Sequence, residues 1–205
     1  MLRRLVLAIS AIAIAVSIAK PAPAAAQAYR TAFMSVGAET SQPIGHHEFC
    51  EIHRSECVLR SEASGPVMLT GTLWAQLEQV NNVVNAAISP ASDMELFGRA
   101  EVWVYPATQG DCEDYVLLKR RILIENGWPV SALLITVVRK PDGEGHAVLT
   151  VRTDRGDVVL DNLDGAIHVW SDTPYLYLKR QSDEHTGRWV AVSDTRTMVA
   201  NIAAR

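Results

Sequence analysis

The chain has 205 residues, 19 basic and 23 acidic, with a formal net charge of −4 and 48% hydrophobic side chains. That balance argues against a nucleic-acid partner, which calls for excess cationic charge. The length is enough for one sizeable core.

Residues 1–26 read as a secretory signal. Arg3 and Arg4 give a positive start, Leu5 to Ala19 is an apolar run of 15 residues, and Ala24, Ala25 and Ala26 supply the small residues for cleavage. Cleavage fits before Gln27 or after Ala28. The run is shorter than the roughly 20 residues that span a bilayer, so an export signal is favoured over an anchor. Without Arg3, Arg4 and Lys20 the remainder carries 16 basic and 23 acidic residues, a charge of −7. Residues 27–205 are expected to form one periplasmic or secreted domain with no membrane span and no organic cofactor.

Export makes the three cysteines informative, because oxidised pairs persist outside the cytoplasm. Cys50 and Cys57 are seven apart and can close a small disulfide loop; Cys112 is left as a free thiol. Residues 29–66, rich in Gly, Pro, Ser and His without a sustained period, read as an irregular arm held by that disulfide. His46, His47 and His53 lie near Cys50 but fit no standard zinc spacing, and a polar surface loop is the expectation.

Leu69 to Ile88 carries apolar residues at intervals of three and four and predicts an amphipathic helix ending before Pro90. Glu101 to Tyr105 alternates weakly, giving a short extended segment up to Pro106. A helix is predicted from Cys112 to about Glu125: Asp111 is a good N-cap, Glu113 and Asp114 load the first turn, and Gly127 is placed to stop it. Strands follow at Leu133 to Val138, His146 to Arg152, Val158 to Asp161 and Ile167 to Trp170. The fold class is α+β, a helix followed by an antiparallel sheet.

Cys112 at a helix start has unpaired amides and a dipole that favour thiolate, while Asp111, Glu113 and Asp114 oppose it. A nucleophile needs a base, and the base needs an orienting group. If Thr153 to Gly156 form the turn between two strands, Arg152 lies opposite Asp157. His146 and Asp161 then share a face as diagonal neighbours, about 7–8 Å apart at the backbone. Ala147, Leu149, Val151, Val158 and Leu160 then point to the other face, as a core requires. Cys112, His146 and Asp161 are therefore the candidate nucleophile, base and orienting acid, with Asp164 as the fallback for the acid. Trp103 could lend an indole N–H to an oxyanion hole, although packing is the stronger expectation.

The runs Gly110-Asp111-Cys112-Glu113-Asp114-Tyr115, Gly145-His146-Ala147-Val148-Leu149 and Leu160-Asp161-Asn162 resemble the bacterial transglutaminase-like cysteine peptidases, in order from about Gly45 to Trp189 and including Arg180-Gln181-Ser182. The resemblance implies a papain-like core with the cysteine helix packed on the sheet. It also implies a cysteine endopeptidase whose Cys-His-Asp triad maps onto Cys112, His146 and Asp161. Periplasmic adhesin peptidases of this kind bind calcium through acids matching Asp111 and Glu113, cut large surface adhesins and answer to an inner-membrane receptor. Two alternatives stand beside hydrolysis of a periplasmic or cell-surface protein: a catalytically degenerate calcium- and protein-binding module, and a cysteine amidase or acyltransferase acting on cell-wall peptides.

Overall fold

The computed structural model describes residues 32–59, 65–194 and 196. The signal segment and its cleavage point lie outside them. Among the described residues no helix is long and apolar enough to cross a membrane.

The chain opens with edge strand β1 (Val36–Thr40), helix α1 (Ile44–Ile52) and the single turn α2 (Arg54–Cys57). The arm expected to be irregular is thus largely regular. Its period is unreadable because β1 is mostly exposed on both faces, and α1 buries only Gly45, His46 and Phe49. The expected disulfide joins Cys50 to Cys57, with Cα atoms 5.7 Å apart, and ties α1 to α2. His46, expected on a polar loop, is instead 1% exposed and packs edge-on against Trp103 and Trp189. Trp189 Nε1 donates to its Nδ1 at 3.2 Å. Burial drives the His46 pKa down to about 3, so the ring stays neutral in the core.

Helix α3 (Gly71–Ala87) falls within the predicted span; Thr70 Oγ1 accepts from the Leu73 amide and caps it. Its buried stripe is Leu77, Val80, Asn81 and Val84, whereas Val83 is 56% exposed. Two-residue strands β2 (Ser89–Pro90) and β3 (Gln109–Gly110) pair in parallel around the short helix α4 (Asp93–Phe97). The 101–105 segment joins no strand. Its Val102 and Val104 amides donate to the carboxylates of Asp93 and Asp114.

Helix α5 (Cys112–Glu125) begins and ends where the sequence places it, and Gly127 takes the left-handed conformation (φ 89°) beyond its end. One detail differs from expectation: Asp111 makes no capping hydrogen bond. Lys119 and Arg120 are both buried, and Arg120 Nε donates to the Leu133 carbonyl at 3.0 Å.

Strands β4 (Leu133–Arg139), β5 (Gly145–Thr153), β6 (Gly156–Leu160), β7 (His168–Val169), β8 (Leu176–Gln181) and β9 (Trp189–Val192) join β1 in an antiparallel sheet. Its order is β1-β9-β8-β4-β5-β6-β7. β5 and β6 pair in the register derived above, Arg152 opposite Asp157 and Leu149 opposite Leu160. One face of β5 and β6, with Ala147, Leu149, Val151, Val158 and Leu160, packs in the main core with Val116, Leu117 and Leu123 of α5. The other face carries Val148 and Val159 in a second cluster with Met34, Trp170 and Tyr177. The start of α5 therefore meets the start of β5 at one end of the sheet.

Candidate active site

Cys112 opens α5 and is half-buried, the one free cysteine among the described residues. Its Sγ donates to Glu113 Oε2 at 3.0 Å. Burial is the main force raising the thiol pKa well above its ordinary value, and the neighbouring Glu113 adds to it. The helix start does not outweigh these two effects.

His146 stands second in β5, 6% exposed, and lines the same two clefts as Cys112. Its Nε2 lies 2.9 Å from Asp161 Oδ1, just past the end of β6. A carboxylate only accepts, so Nε2 carries a proton, and in the neutral ring Nδ1 is the nitrogen with the lone pair. Asp161 Oδ1 also accepts from the Leu163 amide, and Oδ2 accepts from Tyr175 Oη at 2.5 Å. Burial alone would raise the Asp161 carboxyl. The hydrogen bond and charge of His146, the Leu163 amide and the Tyr175 hydroxyl outweigh it and hold the pKa below its ordinary value. Asp164 does not serve as the fallback, because it pairs with His168 at 3.1 Å instead.

Several contributors were not identified from the sequence. The Tyr175 ring leans on His146 with centroids 5.4 Å apart, fixing the ring as well as the acid. Asn85 Nδ2 holds the Asp161 carbonyl at 2.8 Å, and Asn81 Nδ2 reaches the carbonyls of Asp164 and Gly165. Lys119, two turns along α5 from Cys112, is fully buried with Nζ unpartnered. Burial lowers its pKa to about 7 against the pull of Asp161. Two asparagines and a lysine carry no pattern that distinguishes such roles from ordinary helix positions. Trp103 is packed: a Cβ on Gly45 would fall 2.2 Å from its ring, and its indole nitrogen lies along that contact.

Beside the thiol, ligand oxygens of Asp93, Asp111 and Glu113 all lie within 4.8 Å of one another. Oδ1 of Asp93 and Oδ1 of Asp111 are buried without a hydrogen-bond partner. Burial, then the charge of Asp111, pushes the Glu113 pKa up to about 8; burial and Asp93 likewise raise Asp111. Three crowded carboxylates with orphaned oxygens suit a hard divalent cation. Asp93 was invisible in the sequence because it sits in a Ser92–Glu95 capping box, where a first-turn acid is ordinary.

Two solved structures of Legionella pneumophila LapG are similar to this chain. The calcium-bound form is 23% identical over 60% of this chain and 71% of that one, with a TM-score of 0.51. The EGTA-treated form is 25% identical over 60% and 68%, with a TM-score of 0.49. No curated protein matches the chain. The sequence profile of the bacterial transglutaminase-like cysteine proteinases (BTLCP) matches residues 36–197, and the chain belongs to that family.

Proposed function

We propose that the protein is an exported cysteine endopeptidase in which Cys112 is the nucleophile, His146 the base and Asp161 the orienting acid. The observation that carries this reading is the convergence at one end of the sheet. Cys112 and His146 line the same clefts, and His146 is held by Asp161 through the nitrogen that leaves Nδ1 for the thiol. In this mechanism Nδ1 takes the thiol proton and the sulfur attacks a peptide carbonyl. First-turn amides of α5, which lack intrahelical partners, receive the developing oxyanion. The imidazolium then protonates the departing amine, leaving a thioester on Cys112. Water, deprotonated by His146, releases the acid product and restores the thiol.

Asp93, Asp111 and Glu113 fit a calcium ion by donor chemistry and by their orphaned oxygens. A calcium ion there would supply positive charge beside the thiol and offset the carboxylates that oppose its ionisation. The substrate on this reading is a periplasmic or cell-surface protein, of the adhesin kind implied by the family resemblance, with an inner-membrane receptor as regulator. One observation favours the alternative of a degenerate calcium- and protein-binding module: the thiol donates to Glu113 and is held protonated.

The same experiment separates the two. The purified protein is incubated with the exported proteins of its own organism, with calcium or with a chelator, and new N-termini are sequenced. Peptidase action predicts fragments that require calcium and vanish in Cys112→Ala. Identical fragment patterns for wild type and Cys112→Ala would leave the binding module standing.

A further inference from the structure

Two clefts flank the nucleophile. One, of about 360 Å³, is lined by Pro90, Ala91, Glu95, Lys140 and Leu163; the other, of about 270 Å³, by Pro43, Glu101, Trp103, Val137 and Lys179. They share three residues: Cys112, Gly145 and His146. These three residues therefore form the saddle between the clefts, and Gly145 is its one member without a side chain.

The glycine has no structural reason to be there. Its φ is not among the positive ones, unlike that of Gly143 in the preceding turn (φ 94°). A Cβ built on Gly145 would meet nothing within 4 Å, whereas one on Gly110 would fall 2.6 Å from Asp114. Glycine inside a strand weakens it, and where neither backbone nor packing calls for it, close approach of another backbone is the remaining reason.

The main chain agrees. The Lys140 amide, next after β4, donates to the Glu144 carbonyl at 2.9 Å, so Glu144 faces β4. Gly145, the next residue, directs its N–H and C=O to the opposite side, away from β4. β6 ends at Leu160, so no strand stands opposite Gly145 there.

We propose that Gly145 is a specificity-determining residue: the bare saddle admits an extended internal segment of polypeptide, running from one cleft to the other with its main chain against Gly145. This deepens the peptidase reading and rests on it. The substrate class is a locally unfolded stretch of protein engaged on both sides of the scissile bond, and not a chain terminus or a compact amide.

The test compares two alkylating agents on Cys112, with calcium present: iodoacetamide, which needs only the thiolate, and a peptidyl epoxysuccinate bearing a dialanyl amide on each carboxyl, which places peptide on both sides of the sulfur and so must lie across the saddle. Rates are followed by intact mass for wild type, Gly145→Ala and Gly145→Val, with glutathione as the free-thiol reference. The ratio of peptidyl to iodoacetamide rate is expected to exceed that of glutathione in wild type. It should fall about tenfold in Gly145→Ala and on the order of 100-fold in Gly145→Val. The iodoacetamide rates should stay equal across the three proteins. Both variants should melt no lower than wild type, because the added atoms meet nothing and Val suits a strand. A ratio unchanged in Gly145→Val, or no higher in wild type than in glutathione, overturns the saddle while leaving the nucleophile intact. Slow iodoacetamide labelling of wild type would instead overturn the peptidase reading beneath it.

Discussion

Replacing Asp161 with Asn removes one charge and keeps the shape. Oδ1 would still accept from His146 Nε2 and the Leu163 amide, and the new amide would face Tyr175 Oη, which can rotate to accept. What disappears is the negative charge that, in the proposed mechanism, stabilises the imidazolium formed when His146 takes the Cys112 proton. Unit charges about 4 Å apart interact by about 4 kcal/mol at an effective dielectric constant of about 20. That corresponds to about 1,000-fold in rate, so kcat/KM should fall by about that factor in Asp161→Asn. Asp161→Ala should lose more, because His146 is left with an unpaired buried donor and the Leu163 amide and Tyr175 hydroxyl lose their acceptor, and should cost roughly 3 kcal/mol of stability as well. Turnover of a cleaved exported protein and thermal melts between pH 3 and pH 7 measure both effects. The sign with pH is fixed by the depressed carboxyl. Asp161 contributes stability above its unfolded pKa of about 3.9, and that contribution is lost as pH falls through the lower folded value. The wild type should therefore lose stability more steeply below about pH 4 than Asp161→Asn does. An Asn variant within tenfold of wild-type kcat/KM would refute the charge argument.

Tyr175→Phe keeps the ring against His146 and removes the hydroxyl from Asp161 Oδ2; it should destabilise the fold by about 2 kcal/mol in denaturant titration and lower kcat with little change in KM. Calcium should raise the melting temperature of the wild type, and Asp93→Asn should shrink that increase; equal increases in the two proteins would remove Asp93 from the ligand set. Reducing the Cys50–Cys57 bond, which closes a loop of seven-residue separation, should cost about 2.4 kcal/mol of stability while Cys112 remains available, measured by urea unfolding with and without a reductant.

Much of the site was legible because local chemistry and long-range register pointed the same way. The first-turn acids and Gly127 delimit α5. The Asp154-Arg155-Gly156 turn pins β5 against β6, so parity alone places His146 and Asp161 on one face. The rest was hidden where burial does not follow a period. β8 buries Tyr177, Arg180 and Gln181 without alternation: Arg180 lies 3.8 Å from Asp157, and Gln181 bonds the Ile135 amide and the Thr186 carbonyl. Strand β1 is an exposed edge, and Tyr175 reaches Asp161 from a loop no motif marks. The thiol environment was only half read. The acids beside Cys112 were seen to oppose ionisation, but their convergence with Asp93 depends on a short helix folding back from elsewhere in the chain.

The central claim is that Cys112 is ionised by His146 when the neighbouring carboxylates are neutralised. The most direct measurement is the rate of Cys112 alkylation by iodoacetamide against pH, with saturating calcium, for wild type and His146→Ala. The account predicts labelling about 100-fold faster than glutathione at pH 6 in wild type, collapsing to the glutathione rate in His146→Ala. Wild-type labelling that tracks glutathione across the whole pH range would contradict it.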